Sequence, residues 1–353
     1  MADPVFYELA ARAKQMEMEG RRVIRLNVGD TNLPTPPCAV EAAVTYLQTR
    51  KAGYEPAQGM PALLEAIARR EGCLPENVVA GPGSKHLIAA LISTLTRPGD
   101  GVIILSPHWP AYGMICGEFG RVPLFVKSRP ESGWLPDAIP YGKGKAIILC
   151  NPLNPVSIVY PPAFVEEVIN EAARHGVSVV IDEAYRGLAF QEYPRYDGAI
   201  RVRSFSKEFN MEGWRLGYVA SPASVARRLT RFNQITATCV APFVQAAGIA
   251  CLQKEKELLS ENLKIWKERT SAAVNMLSGT GMSFTVPTAG IYLFATHSNI
   301  TNGDRFVLEL LEKGVALAPG SCFGDYGNYV RICLNQDVPL MREALDIMHQ
   351  HLQ

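Results

Sequence analysis

The sequence predicts an α/β fold: a large domain with a mostly parallel, mixed sheet sandwiched by helices, joined to a smaller α+β domain. Three observations predict it. Short, continuous apolar runs recur through the middle of the chain, in "DGVIILSP", "GKAIILCNPLNP" and "GVSVVIDEAY". Runs that are apolar at every position, and not at alternate ones, mark strands buried on both faces. Helical patterns separate them, as in "PAFVEEVINEAARHG" with its stop at Gly176. Past about Pro222 the character changes to long helical patterns followed by strand-like pieces, which belong to a second α+β unit.

Each element can be justified in order. "MADPVFYELAARAKQMEMEG" is an amphipathic, charged helix with no apolar signal core, and it is expected to return to the smaller domain. "HLIAALISTL" is apolar on nearly every face and reads as a buried helix. The three apolar strands follow. "ASVARRLTRFNQITATCVAPFVQAAGIACLQ" and "KEKELLSENLKIWKERTSAAVNML" are the long helical patterns, and "AGIYLFAT" and "NYVRICLN" the late strands. The expected division is a large domain over 30–250 and a small one made of 1–29 and 251–353. Ligand sites commonly lie at such boundaries.

Composition bounds the function. A chain of 353 residues suits two domains, and 48% hydrophobic with 20% charged residues suits a packed core. A net charge of +1 gives no general reason to bind nucleic acid or an anionic membrane. No apolar run reaches the ~18–20 residues of a spanning helix. The eight cysteines include no CxxC pair and sit mostly in apolar contexts, so buried reduced thiols in a cytoplasmic protein are expected. No metal-ligand spacing occurs. His349 and His351 lie close together, but at the C-terminus, where a frayed end is expected.

The polar residues of interest sit where the strands end. Asp182 directly follows "VSVVI"; Asn151 and Asn154 follow "AIILC"; His108, Trp109 and Tyr112 follow "VIILSP". Ligands of open α/β sheets bind outside the carboxyl ends of the strands. Turn and cap chemistry explains any one of these residues, but three strand ends in register, followed by Lys207, point to a site.

"SFSK" followed by "GWRLGY", with Asp182 at a strand end and Tyr185 three residues on, resembles the pyridoxal-phosphate enzymes of fold type I, and within them the class I/II aminotransferases. "GYEPAQG", "NPLNP" and "PGSCFG" match weaker patterns of that family, so the resemblance runs from Tyr54 to Arg331. It implies a cofactor, pyridoxal 5'-phosphate, bound to Lys207 as a Schiff base. A lysine amine, with an ordinary pKa of ~10.4, needs burial or a cationic neighbour to act as nucleophile and proton carrier. The resemblance further implies that Asp182 pairs with the pyridine nitrogen and that Tyr185 and Asn154 bond the phenolic oxygen. Asn151 stays open between this site and a turn. Ser204, Ser206 and Arg215, with Gly83, Ser84 and Lys85 at a helix start, would cradle the phosphate. Trp109 would stack on the ring, with Tyr112 as the alternative. Tyr54 would reach the phosphate of a neighbouring subunit, making a homodimer with a shared active site. Arg331 would clamp the substrate carboxylate, with Gly29 and Asn154 beside it and Asp30 and Thr31 near the substrate side chain.

Two departures stand out. The family commonly has Asn-Pro-Thr-Gly where this chain has "NPVS", Asn154 to Ser157, and only 24 residues separate Asp182 from Lys207. The chain also lacks part of the usual N-terminal arm. These features imply an altered entrance or substrate pocket and not altered cofactor chemistry. The implied activity is transamination between an L-amino acid and a 2-oxo acid. Cyclisation, oxidation or lysis of an amino acid on the same scaffold, such as an arginine-type cyclase, is the alternative. A ligand-sensing regulator is a third class, and it needs an appended DNA-binding domain.

Overall fold

The structure, a computed structural model, describes residues 5–353. Helix α1 (Val5–Met18) buries Leu9, Ala13 and Met16, which lie on one helical face. After the short strand β1 (Ile24–Arg25), helices α2 (Pro37–Thr49) and α3 (Pro61–Glu71) each begin on proline, whose missing N–H costs nothing at that position. There follow β2 (Val78–Gly81), α4 (Ser84–Leu95), β3 (Gly101–Ser106), α5 (Ala111–Glu118), β4 (Val122–Lys127), β5 (Ala146–Cys150), α6 (Pro162–Arg174), β6 (Ser178–Asp182), β7 (Ile200–Ser204), α7 (Phe205–Glu208) and β8 (Gly217–Ala220).

These strands form one seven-stranded sheet in the order β2-β8-β7-β6-β5-β3-β4. Only β8 runs antiparallel to its neighbours, so the sheet is mixed and mostly parallel, as predicted. Every residue of β5 and β7 is buried, and all but the first residue of β3 and of β6. That is why β3, β5 and β6 read as continuous apolar runs. The four strands β7, β6, β5 and β3 are adjacent and parallel, so their carboxyl ends open together on one edge.

The later chain contains α8 (Ala223–Thr236), α9 (Pro242–Gln253), α10 (Glu255–Leu277), β9 (Ser283–Phe284), β10 (Tyr292–Thr296), α11 (Gly303–Glu312), β11 (Val315–Ala316), β12 (Ala318–Pro319), β13 (Tyr329–Cys333) and α12 (Val338–Leu352). Strands β12-β13-β10-β9 make an antiparallel sheet, and β1 pairs with β11. A second apolar core joins α1, α10, α11 and α12 to these strands. It also takes in Ala184, Tyr185 and Leu188, from the loop that follows Asp182. The C-terminus is not frayed as the sequence suggested. Helix α12 runs to Leu352, with His351 stacked on Phe306 and 3.2 Å from Glu309.

All eight cysteines are free thiols. Among the described residues no helix is long and apolar enough to cross a membrane, and no cluster of three or more His, Cys, Asp or Glu could hold a metal.

Beneath β7 lies a buried ion network. Alternation along the strand turns Arg201 and Arg203 to one face, where both meet Glu71 from the end of α3. Arg203 also pairs with Glu208, which Arg70 reaches from α3 at 2.9 Å, and Tyr218 donates to Glu71 at 2.6 Å. Burial alone would raise the Glu71 carboxyl, but Arg203 and Arg201 outweigh it and bring its pKa to about 2. Truncating Glu71 leaves the buried Arg201 with no carboxylate among the described residues and Arg203 with Glu208 alone. Glu71→Ala is therefore expected to cost about 3–5 kcal/mol in urea denaturation at pH 7. Because the folded pKa lies below the unfolded value of ~4.3, the stability from Glu71 is full above that pH. It is lost as the pH falls toward 2, so Glu71→Gln is expected to lose less stability than the parent over that window.

Candidate active site

A cleft of about 540 Å³ opens at the carboxyl ends of the four parallel strands. Gly29, Ser84, Lys85, Trp109, Asn154, Asp182, Tyr185, Ser204, Ser206, Lys207, Arg215 and Arg331, each singled out from the sequence, all line it. Residues separated by up to 302 positions thus meet in one cavity.

At the floor, Asp182 ends β6 and is almost fully buried. Tyr112 Oη donates to its Oδ2 at 2.6 Å, and the Ala184 N–H donates to its Oδ1 at 3.1 Å. No cation of the chain pairs with it among the described residues. Burial pushes its pKa up, and the two hydrogen bonds hold it down only in part. A buried carboxylate in this condition fits a protonated ring nitrogen, which would supply the missing cation. The Tyr112 hydroxyl is engaged with Asp182 and supports that carboxylate, and both Tyr112 and Trp109 line the cleft.

At one end the site is built for an anion. Gly83 caps α4 with φ 83°, and Ser84 and Lys85 open the helix. Ser204 Oγ caps α7 by accepting from the Ser206 N–H at 3.1 Å. A Cβ on Gly83 would lie 2.3 Å from the Arg215 guanidinium, and one on Gly217 would strike the Arg203 carbonyl and the Ser84 N–H. Glycine is needed at both places for the loops to close around this end. Burial, and then Arg215, lower the pKa of Lys85, whose Nζ lies 5.0 Å from the centre of the Trp109 ring. Two cationic side chains, three hydroxyls and a helix N-terminus are the donor set a phosphate dianion requires.

At the other end Arg331 is buried on β13, flanked by aromatic faces. Its guanidinium carbon lies 4.2 Å from the centre of the Tyr292 ring and 4.7 Å from that of Phe323. Nη2 donates to the Asn27 carbonyl at 2.7 Å and Nη1 to Asn154 Oδ1 at 3.2 Å. Between the two ends, Lys207 Nζ donates to the Gly29 carbonyl and lies 3.4 Å from Glu212 Oε1. Tyr185 shares a 2.8 Å hydrogen bond with Tyr292. Burial raises the pKa of both phenols, Tyr292 to about 12 and Tyr185 well above its ordinary value.

Not every expected residue faces the cleft. Asn151 turns away and accepts from the Tyr160 N–H at 2.9 Å, which is the turn role. His108 bonds Ser106 at 2.7 Å and stacks on Phe125, outside the cleft; burial lowers its pKa to about 4. Asp30 is exposed and accepts from the Asn32 N–H. Tyr54 is 90% exposed and lines no part of this chain's cleft. Conversely, Glu212, Tyr292 and Cys150 line it and were not singled out. Glu212 stood inside the most informative motif, where an acidic residue before Gly-Trp-Arg was the available signal.

Residues 21–348 match the model of the family described as aminotransferase class I and II. The chain is 34% identical over 349 residues to the aspartate aminotransferase of Thermococcus kodakarensis, covering 96% of this chain and 92% of that protein. It is 30% identical to the LL-diaminopimelate aminotransferase of Maridesulfovibrio salexigens, covering 97% and 94%. Among solved structures, the aspartate aminotransferase of Thermotoga maritima superposes with a TM-score of 0.92 at 30% identity, over 98% of this chain and 96% of that one. That of Thermus thermophilus gives 0.94 at 27% identity, over 99% and 97%. These similarities speak for amino-group transfer and not for the cyclase, oxidase or lyase alternative.

The anion-binding end carries its own test. Gly83→Ala forces an L-residue into left-handed backbone and drives a methyl group at Arg215. The expected loss is about 1–2 kcal/mol in chemical denaturation, together with weaker protection by inorganic phosphate against thermal unfolding. Unchanged stability and protection would show that the loop closes differently.

Proposed function

The chain belongs to the class I and II aminotransferases and is a pyridoxal-phosphate-dependent enzyme, and from that premise we propose how its residues divide the work of moving an amino group between an L-amino acid and a 2-oxo acid. The observation that carries the proposal is the cleft itself. It gathers a buried carboxylate, a lysine amine, a set of anion-binding donors and a buried guanidinium into one cavity.

Ser84, Ser204, Ser206, Lys85 and Arg215, with the N–H groups after Gly83, would hold the phosphate. Asp182, supported by Tyr112, would face the ring nitrogen, and Trp109 would cover the ring. Tyr185 and Asn154 would face the phenolic oxygen. When bound, the cofactor supplies an aldehyde that condenses with amines and a ring that withdraws electrons from the α-carbon. Lys207 would hold the cofactor through its nitrogen and, once the donor's amine has displaced it, that freed amine would take and return the α-proton as base and acid. Arg331, with Gly29 and Asn154 beside it, orients the substrate by its carboxylate, and its fixed guanidinium plane sets which α-bond faces Lys207.

We extend the proposal to assembly and place. Val40, Val44 and Leu47 form an exposed apolar stripe at helical spacing on α2, and Tyr54 follows it. A second copy docked there would bring Tyr54 to the neighbour's phosphate, in a homodimer with shared active sites. Eight free thiols suit the reducing cytoplasm. Of the three apolar cores, two lie mainly within 30–250 and one mainly within 1–29 and 251–353, which favours a large unit over the first range and a small unit made of the other two.

Four measurements check this reading. Purified protein reconstituted with pyridoxal phosphate should absorb near the visible edge, and borohydride should abolish that band. Lys207→Ala should lose the reducible band and at least about 10³-fold in turnover; a reducible band in the variant would move the attachment elsewhere. Arg331→Lys should raise KM for the amino donor by about 10–100-fold through loss of the bidentate contact. Sedimentation of active enzyme as a monomer would remove Tyr54 from the site.

A further inference from the structure

Tyr292 lines the cleft with no charge of its own, yet it is in contact with Arg331, Tyr185 and Gly29. It is buried on β10, with its N–H held by Ser157 Oγ at 3.0 Å. Antiparallel pairing with β13 puts it on the sheet face of Arg331, two residues from direct register. That diagonal is within reach of an aromatic and a long side chain, and the guanidinium carbon lies 4.2 Å from the centre of its ring. Its hydroxyl shares the 2.8 Å hydrogen bond with Tyr185, whose ring it meets edge to face. A side chain at position 29 would strike Tyr292 Oη, so Gly29 leaves room for that hydroxyl. The Gly29 carbonyl in turn accepts from Lys207 Nζ.

Counting hydrogens decides which way the bond between the two phenols runs. A phenol has one O–H to give and can also accept. If Tyr185 gives its hydrogen to the cofactor's phenolic oxygen, its own oxygen meets Tyr292 only as an acceptor, and Tyr292 donates. Neither hydroxyl has another hydrogen-bond partner among the described residues, so no competing bond reverses this order. Burial raises the pKa of both phenols, which keeps both hydrogens in place at neutral pH. The Arg331 cation over the ring opposes burial at Tyr292 and makes its hydroxyl a better donor than burial alone would leave it. A hydroxyl that accepts a hydrogen bond is polarised into a stronger donor, so the Tyr292 bond strengthens what Tyr185 gives.

We propose that Tyr292 is a positioning residue: its hydroxyl donates to Tyr185 and so points the Tyr185 O–H at the cofactor's phenolic oxygen. The inference rests on the reading that Tyr185 faces that oxygen. Negative charge on the phenolic oxygen holds a proton on the nearby nitrogen that Lys207 gives to the cofactor. A donor from Tyr185 draws on that charge and lets the proton leave at lower pH. Without the Tyr292 hydroxyl, Tyr185 is a weaker and less directed donor, and the nitrogen keeps its proton to higher pH.

The test reads the pH at which enzyme loaded with pyridoxal phosphate changes its absorbance, with no substrate present. Tyr185→Phe removes the direct donor and should raise that pH by about 1–2 units. Tyr292→Phe keeps the ring over Arg331 and loses only the hydroxyl, and it should raise the transition by about 0.2–0.6 of a unit. In the double variant the change at Tyr292 should add nothing to the change at Tyr185, because it acts through that phenol. Tyr292→Leu, which removes ring and hydroxyl together, should shift the transition in the same direction and serves if the phenylalanine variant does not fold. A transition unmoved by the substitution at Tyr292, or moved as far in the Tyr185→Phe background as in the parent, overturns the role of Tyr292 and leaves Tyr185 where it is. A transition unmoved by Tyr185→Phe overturns the placement of Tyr185 at the phenolic oxygen, and the proposal with it.

Discussion

Glu208, the residue after Lys207, is a fully buried carboxylate gripped by two guanidinia, and the placement of the reactive amine depends on that grip. Arg203 and Arg70 both pair with it, and the Gly187 N–H donates to its Oε1 at 2.9 Å. Burial would raise its pKa, yet the two arginines outweigh that and lower it. Helix α7 is only four residues long and has little stability of its own. It is held by a charge on its hidden face so that Lys207 can stand on its open one. Removing either partner of such a pair leaves a bare charge in a low-dielectric interior, which is why the arrangement persists only as a set.

The same device appears one strand over. Asp182 points into the cleft, and the next residue, Glu183, points away from it, 3.3 Å from Arg186. Lys207 and Glu208 repeat the alternation. Asp182 and Lys207, which both line the cleft, thus ride on backbone whose other face is pinned in a shared network. Four arginines (70, 186, 201 and 203) meet four glutamates (71, 183, 208 and 255), so the network carries no formal excess charge. Charges matched in this way can be buried together at a far smaller cost than any one of them alone.

Much of this was legible in the sequence because it is written locally. Strands β3, β5 and β6 show themselves by unbroken apolar runs, and the anion cradle by glycines and hydroxyls next to a lysine. What was not legible depends on register and on side-chain direction across distant segments. Tyr292 reaches Arg331 only because β10 pairs antiparallel with β13, setting Tyr292 opposite Cys333 and Phe294 opposite Arg331. Tyr112 looked like a flat aromatic face, but its one polar atom meets the buried Asp182 and so fixes which way it points. Asn151 and Asn154, three residues apart on the same loop, part company because the backbone N–H of Tyr160 claims the first. The ion network was invisible for the same reason: its arginines and glutamates look like ordinary surface charges until α3 is laid across β7.

The departures from the family pattern carry the last step. Ser157 stands where the family commonly has glycine, and it adopts the left-handed backbone, φ 62°, that glycine would favour. Its Oγ accepts from the Tyr292 N–H at 3.0 Å, and its carbonyl accepts from Thr288 and Ala289. The hydroxyl thus anchors the start of β10 and with it the aromatic face over Arg331. The short connector between Asp182 and Lys207 is likewise committed, sending Arg186 and Arg195 back to Glu183 and to the Glu71 carbonyl. Both departures tie down the frame around Arg331 and Asp182. With that frame held, the side chains that line the cleft outside it are the ones free to differ without disturbing Asp182, Lys207 or Arg331.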